Sequence, residues 1–187
     1  IGIVISFLSQ LIIAYYFGAK FERDAYFVAI IIPVYISSVL TGSMGIILIP
    51  KVVDLMKRNS QIDLNKFIGS IVWLVLIIMF FVTCICIFFS QGVIQIVAPG
   101  YNAEQSQFTA ILLKIVVPTI IFTVLGNLLG SLYQIQHKFI LPALAPIVSS
   151  AISLVFVIIF SEKIGIKGLA FGFLTGSLVS MIILLPV

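Results

Sequence analysis

The fold turns on residues 112–150, LLKIVVPTIIFTVLGNLLGSLYQIQHKFILPALAPIVSS. Two apolar segments meet there at a turn around His137 and Lys138, and each is long enough to cross a bilayer. A helix needs roughly 20 apolar residues to span the ~30 Å hydrocarbon core. The first segment holds Pro118, Gly126 and Gly130 in its interior, and the second opens with Pro142 and Pro146. A soluble helix tolerates such breakers badly. In a membrane bundle, neighbouring helices, hydroxyl side chains and water satisfy the freed backbone groups. Broken, glycine-bearing spans of this kind tend to line a cavity.

The rest of the chain repeats the design. Of its 187 residues 62% are apolar and only 9% charged, with a mean hydropathy of +1.33. Ordinary soluble domains carry about a quarter charged residues. One soluble core could not hide this much apolar surface, so lipid is the solvent for most of it. The net charge of +4 is small and sits in loops, which argues for orientation in a membrane and against nucleic-acid binding. Cys84 and Cys86 lie one residue apart in an apolar run and point to different sides of a helix. They read as small buried hydrophobes, with neither a disulfide nor a metal pair favoured. Ile1 in place of a methionine and an apolar stretch running to Val187 read as one piece of a longer protein. The first span lacks the basic n-region and cleavage site of a signal peptide.

The pattern predicts an all-α integral membrane protein: one domain over 1–187, a six-transmembrane-helix lobe with spans at about 1–17, 24–50, 67–89, 108–135, 141–160 and 169–187. Asp24 is the expected N-cap of the second span, which at 1.5 Å per residue is roughly 40 Å long. Kinks are expected at Pro33 and Pro118, with Gly42, Gly45, Gly126 and Gly130 as further candidate hinges. Span three is aliphatic and aromatic almost throughout, as a lipid-facing helix should be. The loop from Lys51 to Lys66 holds four Lys/Arg and the loop from Ser90 to Gln107 holds none. Basic loops stay in the cytoplasm, which puts the former inside together with both ends of this stretch. One internal echo pairs IIIPVYISSVLTGSMG (30–45) with IVVPTIIFTVLGNLLG (115–130). Duplication and coincidence both account for it. Either way, it marks two spans sharing a proline and a glycine lower down.

Catalysis has no visible seat. The six carboxylates, Glu22, Asp24, Asp54, Asp63, Glu104 and Glu162, sit in loops or at span ends, and His137 sits in a turn. Acid–base work needs paired titratable groups, and metal sites need several ligands. The expectation is therefore no enzyme, no cofactor and no metal, and a proton or sodium relay is disfavoured for want of an intramembrane carboxylate. Lys114 is the one charge clearly inside a span. It either snorkels to the interface or offers a cavity-facing cation to an anionic substrate such as a phosphate or diphosphate. Ser9, Gln10, Ser38, Thr41, Thr123 and Asn127 are either helix-packing glue or a hydroxyl-rich wall for a sugar.

Phe17-Gly18-Ala19, Asp24-Ala25-Tyr26-Phe27-Val28-Ala29, Ile32-Pro33 and Val97-Ala98-Pro99-Gly100-Tyr101 form a recognisable series. It continues through Leu112-Leu113-Lys114-Ile115, Pro118, Phe122, Phe139 and Pro142-Ala143-Leu144-Ala145-Pro146, then Gly168-Leu169-Ala170, Gly172 and Gly176. Across essentially the whole chain this resembles the MurJ/MviN lipid II flippase family. The resemblance implies the fold of the multidrug/oligosaccharidyl-lipid/polysaccharide exporter superfamily, two six-helix lobes around a central cavity, with this chain as the N-terminal lobe. It implies a bacterial inner-membrane location, a lipid-linked saccharide substrate, membrane lipid and a C-terminal lobe as partners, and roles in peptidoglycan or polysaccharide biosynthesis. The family usually carries an Arg-Asp pair where this chain has Ser9-Gln10, and an Arg pair where it has Ser37-Ser38; Lys114 keeps a family-basic position. A polyprenyl-diphosphate-linked saccharide, lipid II or a related exopolysaccharide precursor, is the substrate that follows. A multidrug or small-solute exporter on the same fold, and a non-transporting membrane scaffold, are the alternatives.

Overall fold

The computed structural model describes residues 11–18, 20–57 and 61–185. Everything regular in it is helical. After the helical residues 11–17 (α1) come α2 (Phe21–Lys57), α3 (Gln61–Phe88), α4 (Ser90–Val97), α5 (Ala103–Val116), α6 (Thr119–Ile135), α7 (Ile140–Ile164) and α8 (Ile166–Leu184). Five stretches among the described residues are long and apolar enough to cross a membrane, where the sequence predicts six. The sixth, expected at 1–17, falls mostly on residues outside those described.

The largest departure from expectation is how little of the chain is loop. α2 begins at Phe21, three residues before the expected N-cap, so Asp24 joins Glu22 in the first turn. There the carboxylates face the positive end of the helix dipole. The same helix runs on to Lys57, a length of roughly 55 Å that outreaches the bilayer. Most of the expected 51–66 loop is thus the end of α2 and the start of α3, and the 90–107 loop contains α4. Asn102 and Gln105 build a reciprocal capping box at the start of α5, with Gln105 N–H donating to Asn102 Oδ1 at 2.8 Å.

The two prolines expected to kink their spans behave differently. α2 continues through Pro33, which is fully buried among neighbours. At Pro118 the span divides into α5 and α6. Proline has no N–H for the carbonyl four residues back. Past the break the ladder tightens, with Ile120 and Ile121 donating to the carbonyls three residues earlier, Val117 and Pro118. Thr119 Oγ1 donates to the Val116 carbonyl at 2.6 Å and caps one of the freed oxygens.

The broken α5–α6 span is the spine of the lobe. Leu112, Leu113, Val116, Val117, Ile120 and Val124 have no exposure at all. α2 packs on both halves of it and buries Ala25, Tyr26 and Ala29, and α3 turns Trp73, Phe80, Phe81 and Phe88 outward. Such large apolar side chains on one face suit lipid and not water.

α7 and α8 form a hairpin around Gly165, whose φ of +58° favours glycine. They press together along Gly168, Gly172 and Gly176. A Cβ at Gly172 would stand 2.8 Å from Phe156 Cβ, and one at Gly176 would stand 2.7 Å from the Ser149 carbonyl oxygen. Glycines four apart let helix backbones approach this closely. Because the Ser149 contact is backbone, even a methyl group cannot be absorbed by a side-chain shift. Gly176→Ala should therefore lower stability by about 1–3 kcal/mol, read as a depressed melting temperature of the full-length protein in detergent. An unchanged melting temperature would mean that α7 and α8 are not packed this tightly.

Candidate functional site

A cavity of about 530 Å³ opens between α2, α6, α7 and α8. α2 contributes Thr41 and Ile49, and α6 contributes Phe122, Thr123, Gly126, Asn127, Gly130, Ser131 and Gln134. From α7 come Pro142, Ala145, Pro146, Ser149 and Ser150, and from α8 Phe173, Ser177, Ser180 and Leu184. None of these residues is charged. The helix period explains the lining: on α8, positions 173, 177, 180 and 184 recur every three or four residues and share one face.

One side-chain bond ties the two echoing segments together. Asn127 Nδ2 donates to Thr41 Oγ1 at 2.8 Å, joining α6 to α2 at the cavity wall. Thr41 Oγ1 in turn donates to the Ser37 carbonyl at 2.7 Å. Ser131 Oγ donates to the Asn127 carbonyl at 2.9 Å, Ser150 Oγ to the Pro146 carbonyl at 2.9 Å and Ser177 Oγ to the Leu174 carbonyl at 2.8 Å. Several hydroxyls in this wall thus spend their proton on their own helix.

Of the residues singled out in sequence, Thr41, Thr123 and Asn127 come together here, beside Gly126 and Gly130. α6 is unbroken through both glycines, and what they supply is proximity: Gly126 approaches the Met181 backbone of α8 and Gly130 the Pro142 ring of α7, each at 3.8 Å from an added Cβ. Ser38 lies elsewhere. It is exposed, and its hydroxyl donates to the Tyr35 carbonyl at 2.8 Å. Gly42 is exposed with open space around it, and Gly45 lies inside the continuous α2. Ser9 and Gln10 fall outside the described residues. The serines of α7 and α8 and Gln134 were not anticipated.

Lys114 also stands apart from the cavity. It is exposed, in the last turn of α5, roughly 16 Å along the helix at 1.5 Å per residue. A cation there complements the C-terminal end of the α5 dipole. Because α5 starts at Ala103 and not at 108, Lys114 is deeper in its span than the sequence suggests.

At the other end of α5, Phe21 packs edge-on against Tyr101, ring centroids 5.4 Å apart, beside Phe108. Burial, then the Asp24 carboxylate, raise the Tyr101 phenol above its ordinary pKa. Among the described residues, no three His, Cys, Asp or Glu side chains come together to hold a metal ion.

An all-helical, multi-pass membrane lobe with an uncharged cavity of mixed apolar and hydroxyl-bearing lining beside a broken span is the architecture these observations define. Comparison with known proteins makes it specific. Residues 13–187 match the family described as lipid II flippase MurJ, and the chain belongs to that family. It is 34% identical over 148 residues to the probable lipid II flippase MurJ of Buchnera aphidicola subsp. Baizongia pistaciae (strain Bp), covering 77% of this chain and 29% of that protein. It is 30% identical over 176 residues to the lipid II flippase MurJ of Thermosipho africanus (strain TCF52B), covering 94% of this chain and 36% of that protein. A solved structure titled lipid II flippase MurJ, inward closed conformation, superposes with a TM-score of 0.82 at 28% identity, over 97% of this chain and 40% of that one. The chain spans about a third of the length of the curated relatives it matches.

Proposed function

We propose that this chain is the N-terminal lobe of a bacterial inner-membrane flippase for a polyprenyl-diphosphate-linked saccharide, lipid II or a related cell-envelope precursor. It works by alternating access together with a C-terminal lobe supplied by the rest of a longer protein. The observation that carries the reading is the uncharged cavity, apolar with hydroxyl and amide side chains on its wall, formed by α2, α6, α7 and α8 in a member of the MurJ family. A span that breaks at Pro118 beside that cavity supplies a place where one half of the helix can move against the other. Thr41, Thr123 and Asn127 are wall residues of the path; the exposed Ser38 belongs to the face that the second lobe covers. The basic residues from Lys51 to Lys66 hold the α2–α3 connection in the cytoplasm, with both ends of this stretch on the same side. Arg58→Cys should then resist an impermeant thiol reagent in intact cells, whereas Gly100→Cys should react. The reverse labelling would invert the topology.

Lys114 is the cation for the diphosphate. Its exposure far along the span supports a role at a surface shared with the second lobe, since a lone cation facing lipid tails at this depth is costly. A charge meeting a phosphate is worth on the order of 1.5–3 kcal/mol. Lys114→Gln should weaken substrate affinity about ten- to a hundredfold, and Lys114→Arg should keep most of it. Reconstituted flipping measured across substrate concentration decides this, and unaltered affinity in Lys114→Gln would assign the side chain to the interface.

A further inference from the structure

We infer that α4 is an interfacial helix: it lies along the membrane surface with Phe89 and Ile96 sunk among the lipid acyl chains, and it ties the adjoining ends of α3 and α5 to that leaflet. Neither the flippase reading nor the orientation of the chain enters. The three sides of this eight-residue helix have different neighbours. At about 100° per residue, Ser90, Val93, Ile94 and Val97 share one sector. Ser90 and Ile94 are buried there, and α4 packs on both α3 and α5. Gln91 and Gln95 lie together on a second, exposed side. On the third are Ile96 and, one position before the helix, Phe89, with only Gly92 between them. Phe89 is 67% exposed and Ile96 82%.

What covers that third side follows from its surroundings. Phe89 stands at the N-cap, where Ser, Thr, Asp or Asn is usual, and makes no side-chain cap bond. The outward aromatics of α3 lead straight into it: Phe80, Phe81 and Phe88 are exposed, and a single residue separates the end of α3 from the start of α4. The lipid-facing surface of α3 thus continues around the corner onto α4. The glutamines on the adjoining side would lose their hydrogen bonds to water in hydrocarbon, which holds the helix at the surface. Residues 90–107 contain no Lys or Arg. Apolar burial, and not attraction to anionic headgroups, therefore supplies the hold.

Nitroxide depth measurements on the full-length protein in vesicles test this. Ile96→Cys, Gln91→Cys and Phe81→Cys are labelled one at a time, each as the sole cysteine. All three native side chains are exposed, so the labels displace no core contact. Oxygen, which concentrates in lipid, and water-soluble nickel ethylenediaminediacetate are the relaxants. The Ile96 label should meet oxygen more than nickel and lie about 5–10 Å below the phosphates, shallower than the Phe81 label. The Gln91 label should meet nickel more and lie about 10 Å higher, one helix diameter away. The Ile96 depth should be the same in pure phosphatidylcholine as in vesicles containing anionic phosphatidylglycerol. An Ile96 label in water, a Gln91 label as deep as Ile96, or a depth that requires the anionic lipid each overturns the inference. An Ile96 label shielded from both relaxants would mean that protein covers this side, and overturns it equally.

Discussion

A full-length protein carrying Thr123→Trp should insert, fold and accumulate normally, yet move lipid-linked saccharide at no more than about one hundredth of the wild-type rate, a loss of roughly 2.7 kcal/mol. Thr123 is half-buried on α6 and faces open volume. An indole added there therefore enters the cavity and does not wedge helices apart. Overpacking a filled core costs stability, but this site is not filled. The contrast variant is Phe81→Trp on the outward face of α3, where a larger ring meets only the membrane; it should flip normally. Wild-type flipping by Thr123→Trp would show that substrate does not pass this wall.

The second large effect is expected at Asn127. Asn127→Asp replaces the N–H that Thr41 accepts by a second acceptor, while the Thr41 proton stays committed to the Ser37 carbonyl. Two acceptors then face each other in an uncharged wall, at a cost of about 1–3 kcal/mol for the unmade bond. Flipping should fall about ten- to a hundredfold at pH 8. Desolvation and the facing acceptor both favour the neutral carboxyl, so its pKa rises above the ordinary carboxylate value. The sign follows: as pH falls through that raised pKa, the carboxyl gains a proton, donates it to Thr41 and restores the bond. Activity of Asn127→Asp should therefore recover as the assay is taken down to about pH 5, whereas Asn127→Leu should stay low throughout. A flat, matching profile for the two variants would remove the α2–α6 bond from the account.

Much of this architecture was legible because composition and breakers act locally. The apolar spans, the division at Pro118 and the lipid-facing aromatics of α3 follow from residues that need no distant partner to be understood. Pro33 marks the limit. The same residue that divides one span is absorbed in another, because one lost hydrogen bond decides little when the flanking turns are held by packing. Charged stretches such as 51–66 read as loops, yet polar residues continue a helix beyond the membrane as readily as they end it.

The cavity was half legible. Thr41, Thr123 and Asn127 stood out as polar groups in the two echoing spans, and they meet. Ser38 stood out equally and points away, since a hydroxyl's value depends on which face of the helix packs inward. The serines of α7 and α8 were missed because serine among glycines resembles ordinary helix contact. A signal was present: Phe173, Ser177, Ser180 and Leu184 lie at helical spacing beside the Gly168, Gly172, Gly176 series. Once the glycines are assigned to the α7 contact, the neighbouring stripe is left to face the open volume.

The measurement that bears most directly on the proposed function is substrate selection by the wild-type full-length protein in vesicles. A fluorescent undecaprenyl-diphosphate disaccharide and ethidium are offered side by side, and their movement across the bilayer is followed. The proposed function predicts that the lipid-linked disaccharide crosses and ethidium does not. Export of ethidium with no movement of the disaccharide would contradict it and make the cavity of α2, α6, α7 and α8 a drug site.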